Sequence, residues 1–324
     1  MNKFIAITIG DINGIGIHIL LDAWKNKKIK NFVLLSDVNV IKKFIKSKKY
    51  SIKLNIINTD KNNIQFDKNK LNIYSYKSSS LEDNTYKSLR YSYYFSKNLN
   101  CLGIITLPLR KDLIKKKIDN NFVGQTEFFQ KISKKKYANM IMFHNNIIIS
   151  PLTTHIELKN IPKIISNKSF IVKQILNLNN TLKIDFNIQN PKLIISGVNP
   201  HAGENGNIGL EEKKFISPSI ERLKKLGINI NGPVSADSML IKNNLKKYDC
   251  FVFIYHDQGL IPFKFISQFT GVNYTGNLNI IRTSPDHGTA YDMIGSKSIS
   301  NNSLINCFKL IKKINKNRAN SDKS

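Results

Sequence analysis

Four of the six histidines in this chain stand where an apolar, strand-like run gives way to a polar loop: His155, His201, His256 and His287. The carboxyl ends of parallel strands meet at one edge of a sheet, so we expect three or four of these imidazoles to lie together. A single histidine in such a place is more often a structural residue. Several sharing one edge suit a catalytic divalent metal of the zinc, cobalt or manganese type, with three imidazole ligands and an open position.

Two aspartates accompany these histidines. Asp257 follows His256 directly, after the apolar run 250–255, and Asp237 ends the run of residues 232–237 that leads into a predicted helix. A carboxylate near a metal-ligating imidazole either orients the ring or accepts a proton from the substrate. We therefore predict that Asp237 and Asp257 are catalytic, and the choice of base between them stays open.

Hydrogen-bonding side chains also begin a predicted helix after a turn at Gly124, where Gln125, Thr126 and Glu127 follow one another. Backbone N–H groups at the start of a helix bind phosphate or carboxylate groups, whereas a threonine there often only caps the helix. Thr126 is therefore either a cap or part of an anion site.

The elements that must position these residues alternate between strands and helices, which predicts an α/β protein with a largely parallel sheet. The predicted strands are residues 4–9, 32–35, 103–107, 140–143, 147–149, 193–196, 250–255 and 279–283, and the predicted helices include 161–178 and 303–314. Residues 50–94 show no clear period and receive no assignment. The length of 324 residues suggests two domains.

A glycine-rich turn, residues 10–16, connects the first strand to a helix. Its GxxxGxG spacing differs from the GxGxxG of dinucleotide-binding Rossmann domains, and we find no matching acidic residue that closes a second strand. The turn either packs a strand closely against a helix or lines a cleft.

The formal net charge of +28 would suit a nucleic-acid-binding protein. We attribute it to codon bias, because the lysine runs lack interleaved aromatic residues and the chain is rich in Asn and Ile. No apolar run approaches the roughly 18 residues of a membrane span, and residues 1–10 lack a signal-peptide cleavage site. The three cysteines show no metal or disulfide spacing. We expect a cytoplasmic protein without nucleic-acid or membrane partners.

Seven blocks of the sequence, in order, resemble the signature blocks of the 4-hydroxythreonine-4-phosphate dehydrogenase family. They are ITIGDINGIGIHI, GQTEFF, PLTTHIELKNIP, NPHAGENGNIGLEE, GPVSADSML, YHDQGLIPFK and GVNYTGNLNIIRTSPDHGTAYD, and they extend from about Ile5 to Asp292. One block alone would be weak, whereas seven in the right order are highly specific.

The resemblance implies a fold similar to the isocitrate and isopropylmalate dehydrogenases, with two α/β/α domains and a cleft between them. We place the first domain, on the cofactor side, at residues 1–115 plus 265–324. The second domain, with the metal site and the dimer interface, is placed at residues 116–264. The resemblance also implies a homodimer with shared active sites and a small phosphorylated amino acid as the substrate.

Family roles carry over to matching residues. The resemblance implies one divalent metal per active site (zinc, magnesium or cobalt), held by His155, His201 and, across the dimer interface, His256 of the partner subunit. It places substrate contacts on Gln125, Thr126, Lys264, Asn273 and Arg282. It places NAD or NADP on the loop that contains His287, Gly288, Thr289, Ala290 and Asp292.

The implied reaction is the NAD-dependent oxidation of 4-phosphooxy-L-threonine to 2-amino-3-oxo-4-phosphooxybutanoate, which decarboxylates to 3-amino-2-oxopropyl phosphate in pyridoxine 5′-phosphate biosynthesis. Two departures from the family stand out. Gln125 replaces the usual histidine, and residues 293–300 have lost the usual small, glycine-rich pattern.

Three alternatives stay open. The first is a related metal-dependent dehydrogenase of 4-phospho-D-threonate or D-erythronate. The second is a basic nucleic-acid-binding protein on the same scaffold. The third is a decayed enzyme, against which the retained histidines and the retained Lys264, Asn273 and Arg282 argue.

Overall fold

The computed structural model describes residues 3–57, 64–296 and 300–321. The chain forms two compact units, which are unit 1 (Met1–Phe129 with Asn279–Asn315) and unit 2 (Gln130–Leu278 with Lys316–Ser324). The predicted domain boundaries after residues 115 and 264 each precede the observed divisions, which follow Phe129 and Leu278. The last helix contributes residues to both units, a feature that the sequence analysis did not include.

The described residues contain strands and helices that largely alternate along the chain. The strands are β1 (Phe4–Thr8), β2 (Phe32–Leu35), β3 (Leu54–Ile57), β4 (Leu71–Tyr74), β5 (Cys101–Thr106), β6 (Asn139–His144), β7 (Ile147–Pro151), β8 (Leu193–Ser196), β9 (Ile230–Val234), β10 (Cys250–Phe253), β11 (Val272–Gly276) and β12 (Arg282–Pro285). The helices are α1 (Ile15–Lys25), α2 (Val38–Ser47), α3 (Leu81–Asn98), α4 (Lys111–Lys117), α5 (Gln125–Ile132), α6 (Ile161–Ile165), α7 (Lys168–Ile184), α8 (Ser217–Lys225), α9 (Lys242–Lys247), α10 (His256–Ser267) and α11 (Asn302–Ser321).

Unit 1 contains the strands β3-β4-β2-β1-β5-β12 in that spatial order, and the pairs between them are parallel. Strands β1 and β2 are buried along their whole length, as expected for central strands of a parallel sheet. Helix α3 packs against β1, β2 and β5. One core cluster includes Phe4, Val33, Leu35 and Phe95.

Unit 2 contains the strands β11-β6-β7-β10-β8-β9. The four strands from β7 to β9 are parallel to one another, whereas β6 pairs antiparallel with both β7 and β11. The β6–β7 hairpin turns at Asn145 and Asn146, whose φ angles of 45° and 69° suit a two-residue hairpin turn. Its core cluster includes Met142, Phe251 and Phe263.

The α/β class, the largely parallel pairing and the hairpin around residues 144–146 are confirmed. Two details of the element prediction are wrong. The predicted helix 161–178 is interrupted, because Asn167 caps a new helix by accepting a hydrogen bond from the Phe170 N–H at 3.2 Å. Strand β12 begins at Arg282 rather than at residue 279.

The three cysteines are all free thiols, as their spacing predicts. Among the described residues, no helix has both the length and the apolar character needed to cross a membrane.

Candidate metal and active site

Four neighbouring parallel strands of unit 2 deliver polar residues from their carboxyl ends. His155 follows β7, His256 and Asp257 follow β10, His201 follows β8, and Asp237 follows β9. Three of the four histidines singled out in the sequence therefore share one sheet edge. His287 follows β12 and belongs to unit 1.

The rings of His155 and His256 lie side by side, with their centroids 5.8 Å apart. The loop of His155 is fixed to the end of β10, since the Thr153 N–H and hydroxyl both donate to the Ile254 carbonyl, at 3.1 and 2.8 Å. Nδ1 of His256 bonds the Asp257 carboxylate at 2.8 Å. This bond makes Nδ1 the donor and leaves Nε2 as the nitrogen with a lone pair for a ligand.

Gln258 connects the two central loops of this edge. Its Oε1 accepts hydrogen bonds from the Ile254 N–H at 2.8 Å and from the Ser196 hydroxyl at 3.0 Å. Its Nε2 donates to the Gly197 carbonyl at 2.9 Å. The end of β10, which carries His256, is thereby tied to the end of β8, which leads to His201.

His201 lies in a segment of strained backbone. His201, Ala202, Glu204 and Asn205 all have left-handed φ angles, between 42° and 57°, and Gly203 lies among them at 80°. Each non-glycine residue in that region costs on the order of 1 kcal/mol, so a run of them persists only if other contacts hold it.

The buried carboxylate of Glu212 anchors the residues directly before this segment. Its Oε1 accepts from the N–H groups of Val198 and Asn199 at 2.7 and 2.8 Å, and its Oε2 accepts from Asn199 Nδ2 at 2.9 Å. A Cβ built on Gly203 would lie 2.6 Å from the Glu212 carboxylate, so the site needs glycine there. This role of Glu212 was not predicted from the sequence.

Asp237 lies on a short helical turn, Ala236–Ser238, that packs against the His201 segment. The Asp237 side chain is exposed, whereas the Asp257 carboxylate is hydrogen-bonded to His256. Among the described residues of a single chain, no three His, Cys, Asp or Glu side chains converge closely enough to hold a metal. One chain therefore offers His155 and His256 as a ligand pair, and this pairing differs from the implied assignment of His256 to the partner subunit.

A buried guanidinium forms the second cluster, in unit 1. Arg282 is 2% exposed, and it donates to the Thr106 hydroxyl at 3.0 Å, to Gln125 Oε1 at 2.6 Å and to the Thr126 hydroxyl at 3.3 Å. Burial lowers the pKa of Arg282 to about 10, so the side chain stays cationic at neutral pH. Three of the predicted substrate residues thus meet. Thr126 therefore accepts a hydrogen bond from this cation, in addition to its position at the start of helix α5.

The two other predicted substrate residues belong to unit 2. Lys264 lies on α10 with its ammonium 4.9 Å from the ring centroid of Phe269. Asn273 lies on β11 opposite Met142. Its Oδ1 is buried and has no hydrogen-bond partner among the described residues, as expected for a group that bonds a ligand.

The predicted cofactor loop of unit 1 is fastened to the glycine-rich turn after β1. The Ile15 N–H donates to the Thr289 carbonyl at 2.8 Å, and the Tyr291 hydroxyl donates to the Asp11 carboxylate. A Cβ on Gly10 would lie 2.4 Å from the Pro108 carbonyl, and one on Gly14 would lie 3.1 Å from the Thr289 carbonyl. These glycines therefore allow close packing. Of the altered segment 293–300, residues 297–299 lie outside the described residues.

One statement about this region is wrong. An acidic residue does close the second strand, because Asp37 follows β2. Its carboxylate is nevertheless engaged, with Oδ1 accepting from the Asn39 N–H at 2.9 Å and Oδ2 accepting from the Ser78 N–H at 3.0 Å and the Ser78 hydroxyl at 2.9 Å. Asp37 caps α2 instead of presenting an acceptor to a ribose.

Comparisons with known proteins identify the family of this chain. Residues 28–311 match the family model of "Pyridoxal phosphate biosynthetic protein PdxA". The 4-hydroxythreonine-4-phosphate dehydrogenase of Wigglesworthia glossinidia brevipalpis is 35% identical over 316 residues, which cover 94% of this chain and 95% of that protein. The enzyme of the same name from Aquifex aeolicus is 35% identical over 322 residues, covering 96% and 98%.

The chain belongs to the PdxA family.

A solved PdxA-family structure agrees in fold. The crystal structure of 4-hydroxythreonine-4-phosphate dehydrogenase from Klebsiella pneumoniae superposes with a TM-score of 0.81 at 26% identity, covering 97% of this chain and 98% of that one. As a PdxA-family member, this chain shows how Gln125 can stand where the family usually has histidine. The amide accepts from Arg282 through Oε1 and donates to the Leu107 carbonyl through Nε2 at 2.9 Å, so both of its ends are used.

Proposed function

We propose that this chain is a 4-hydroxythreonine-4-phosphate dehydrogenase that oxidises the secondary alcohol of 4-phosphooxy-L-threonine with NAD or NADP. The resulting 2-amino-3-oxo acid then loses carbon dioxide to give 3-amino-2-oxopropyl phosphate. The observation that carries the proposal is the end-to-end similarity, at 35% identity, to relatives of that name. The position of His155, His201, His256 and Asp237 after the carboxyl ends of neighbouring strands supports the proposal, because ligands of open α/β sheets bind there.

The histidine pair fits a divalent metal. With zinc–nitrogen distances of about 2.0–2.1 Å and tetrahedral angles, two ligating imidazoles have ring centroids roughly 5–6 Å apart. His155 and His256 have that separation, at 5.8 Å, and Asp257 fixes the orientation of His256. Nitrogen donors favour zinc or cobalt over magnesium, which prefers oxygen ligands. We therefore favour zinc or cobalt among the three metals that the family resemblance implies.

A divalent cation held there would supply Lewis acidity to the alcohol oxygen and to the negative charge that decarboxylation leaves behind. The chain's own groups supply the remaining chemistry. Because the carboxylate of Asp257 is occupied by His256, we assign the proton-accepting role to Asp237. Arg282 with Gln125 and Thr126, and Lys264 with Asn273, would bind the anionic groups of the substrate.

The proposal includes a homodimer that shares its active sites. Helix α10, which begins with His256, carries a stripe of exposed apolar side chains at Ile261 and Phe265 that continues to Phe269 beyond the helix, with exposures of 70%, 78% and 55%. Such a patch beside polar residues is typical of a protein–protein interface. We infer that a second copy of the chain covers it and that His201 of the partner subunit completes the ligands of His155 and His256.

The cofactor would lie against the loop of residues 287–292, where Gly288 is exposed and a Cβ built on it would meet nothing within 4 Å. This open position lets a dinucleotide approach the backbone.

The test is reduction of NAD and NADP with 4-phosphooxy-L-threonine, before and after removal of metal with a chelator. We expect turnover that is lost on chelation and restored by zinc or cobalt. The paired assay uses 4-phospho-D-threonate. Oxidation of that acid with no oxidation of 4-phosphooxy-L-threonine would show that the proposed substrate is wrong. Full activity after chelation would show that the reaction needs no metal.

A further inference from the structure

A cavity of about 690 Å³ lies in unit 1, and its lining contains none of the residues assigned above to the metal, the substrate or the cofactor loop. Its walls come from the segments after three strands. Ile12 and Asn13 follow β1, Asp37 and helix α2 follow β2, and the segment Ser78 to Ser80 lies between β4 and α3. The volume falls in the range of roughly 300–1,000 Å³ typical of small-molecule sites.

Strands β2 and β4 lie on one side of β1 and β5 lies on the other, so the order of the strands reverses between β1 and β5. In open parallel sheets, ligands bind outside the carboxyl ends of the strands at such a reversal. The cavity lies directly beside this reversal, since its walls follow β1, β2 and β4.

A smaller cavity of about 210 Å³ connects this region to the cofactor loop. The two cavities share Ile12, Asn13 and Leu81 as lining residues. The smaller one is also lined by Arg110 and by Tyr291, which lies between Ala290 and Asp292 of the cofactor loop. A ligand held at that loop can therefore extend past Asn13 into the larger cavity.

The lining of the larger cavity is apolar on one side and cationic at its rim. Val40 and Phe44 of α2 offer an apolar wall with Ile12 and Leu81, which suits a flat heterocycle. Lys43 and Lys48 supply two cations. The one carboxylate in the lining, Asp37, already accepts three hydrogen bonds from Asn39 and Ser78, so its oxygens are occupied, and the two lysines outnumber its single negative charge.

His18 adds a neutral polar group to the same wall. Burial and the nearby charge of Lys48 lower the pKa of His18, so the ring is uncharged at neutral pH. Its Nδ1 lies 3.0 Å from the Tyr50 hydroxyl, which holds the ring in place. The cavity therefore combines an apolar wall, fixed polar groups and an excess of positive charge, which is the chemistry that recognises a phosphorylated nucleoside.

We propose that this cavity binds a nucleoside phosphate, namely one half of the dinucleotide whose remainder lies at the loop of residues 287–292, with Lys43 and Lys48 facing the phosphate. This inference rests on the proposed function, because it needs a dinucleotide cofactor. It adds a site formed by α2 and the segment before α3 to the loop that the family resemblance assigns.

The experiment is titration of the full-length protein with NADH, followed by its fluorescence, for the wild type and for two charge-matched double variants. Lys43→Glu with Lys48→Glu reverses both charges in the lining. Lys42→Glu with Lys46→Glu makes the same change in net charge on the same helix at exposed positions outside the lining. Thermal unfolding shows whether each variant is folded, and the neutral pair Lys43→Gln with Lys48→Gln replaces the first variant if it is not.

We expect the Kd for NADH to rise about tenfold in the Lys43/Lys48 variant, because two solvent-exposed ion pairs with the phosphate are lost. The Kd should rise less than about twofold in the Lys42/Lys46 variant. Equal effects of the two variants, or no effect of either, would overturn the inference about the cavity. The proposed function would still hold in that case, provided that the wild type binds NADH and turns over. A wild type that binds no NADH would instead refute the proposed function.

Competition with AMP and with nicotinamide mononucleotide shows which half occupies the cavity. We expect one of the two to displace NADH from the wild type in a manner that depends on Lys43 and Lys48. If neither mononucleotide shows that dependence, the cavity does not bind a nucleoside phosphate.

Discussion

At the scale of single residues, the chemistry of this site depends on side chains that hold other side chains. Glu212 is the main example, because its buried carboxylate holds the left-handed segment that presents His201. A loss at this position should change metal binding without contact between Glu212 and the metal, since groups that orient ligands typically contribute 10–100-fold to metal affinity.

We expect Glu212→Gln to weaken metal binding roughly 10–100-fold and to lower the free energy of unfolding by about 1–3 kcal/mol, because the amide cannot accept at both ends. The measurement is zinc affinity by competition with a chromophoric chelator, together with urea unfolding. Glu211→Gln is the matched control, since Glu211 bonds the same Asn199 Nδ2 at 2.8 Å but is less buried. Equal effects of the two changes would contradict a specific role for Glu212.

A second prediction at this scale concerns the effect of Gln125 on catalytic efficiency. Gln125→Leu removes one of the acceptors of the buried Arg282, so we expect kcat/KM for 4-phosphooxy-L-threonine to fall about 10–100-fold, the scale of one hydrogen bond to a charged group. Gln125→His restores the residue usual in the family and should retain activity at pH 8. It should lose activity as the pH falls below about 6, because a protonated imidazole would face the Arg282 cation. A leucine variant as active as the histidine variant would rule out this role.

That His155, His201 and His256 follow strands could be predicted, because each comes after an apolar run and such a run is a local signal. The roles of Glu212 and Gln258 were not visible. A buried carboxylate that accepts hydrogen bonds from a distant loop has the same sequence as an exposed helix start, and only the three-dimensional contacts distinguish the two.

At the scale of elements, helix α3 shows why residues 50–94 received no assignment. Its buried positions include Asn84, Thr85, Ser88 and Ser92, so the buried face of the helix does not appear as an apolar stripe in the sequence. Asn84 is buried because it hydrogen-bonds a neighbouring segment of the same chain: its Oδ1 accepts from the Asp37 N–H at 2.8 Å. Periodicity reports apolar burial alone, and an element that buries polar side chains escapes it.

The end of helix α11 supplies a stability prediction. Arg318 donates to the buried Asp185 carboxylate at 2.6 and 3.1 Å and to the Tyr274 hydroxyl at 3.1 Å. Burial, and then the charge of Asp185, raise the pKa of Tyr274 well above its usual value, so the phenol stays neutral. Asp185 is 3% exposed, and removal of its cation leaves a buried charge without compensation.

We expect Arg318→Met to lower the free energy of unfolding by about 2–4 kcal/mol, a little less than for a fully buried pair because the Arg318 side chain is partly exposed. The control is Arg222→Met, which removes the same charge at an exposed position of α8 and should change stability by less than about 0.5 kcal/mol. Urea unfolding followed by circular dichroism measures both. A change in Arg318→Met no larger than in the control would show that the network contributes little.

At the scale of the whole molecule, the formal charge of +28 and the family membership point to different partners. The described lysines are largely at exposed positions, and we expect them to attract nucleic acid only weakly at physiological salt. Fluorescence anisotropy with labelled RNA and DNA oligonucleotides, at about 0.15 M salt, checks this expectation. Tight and steeply salt-dependent binding would favour the nucleic-acid alternative.

The fold class followed from alternating strand and helix patterns, and the family followed from seven ordered blocks. The boundaries of the two units did not follow, because helices α5 and α11 each cross a division without any break in their sequence pattern. The pairing of His155 with His256 in one chain also required the structure, since it depends on which strands are neighbours.

The central claim is one metal site made of His155 and His256 of one chain and His201 of the partner subunit. Hybrid dimers test it most directly. The variants His201→Ala and His256→Ala, each inactive alone, are co-expressed with different affinity tags, and the hybrid is purified and assayed for NADH formation from 4-phosphooxy-L-threonine. We expect about half of the wild-type activity, because one of the two sites in the hybrid is intact, and none from the hybrid of His155→Ala with His256→Ala. An inactive first hybrid, or an active second one, would contradict the account.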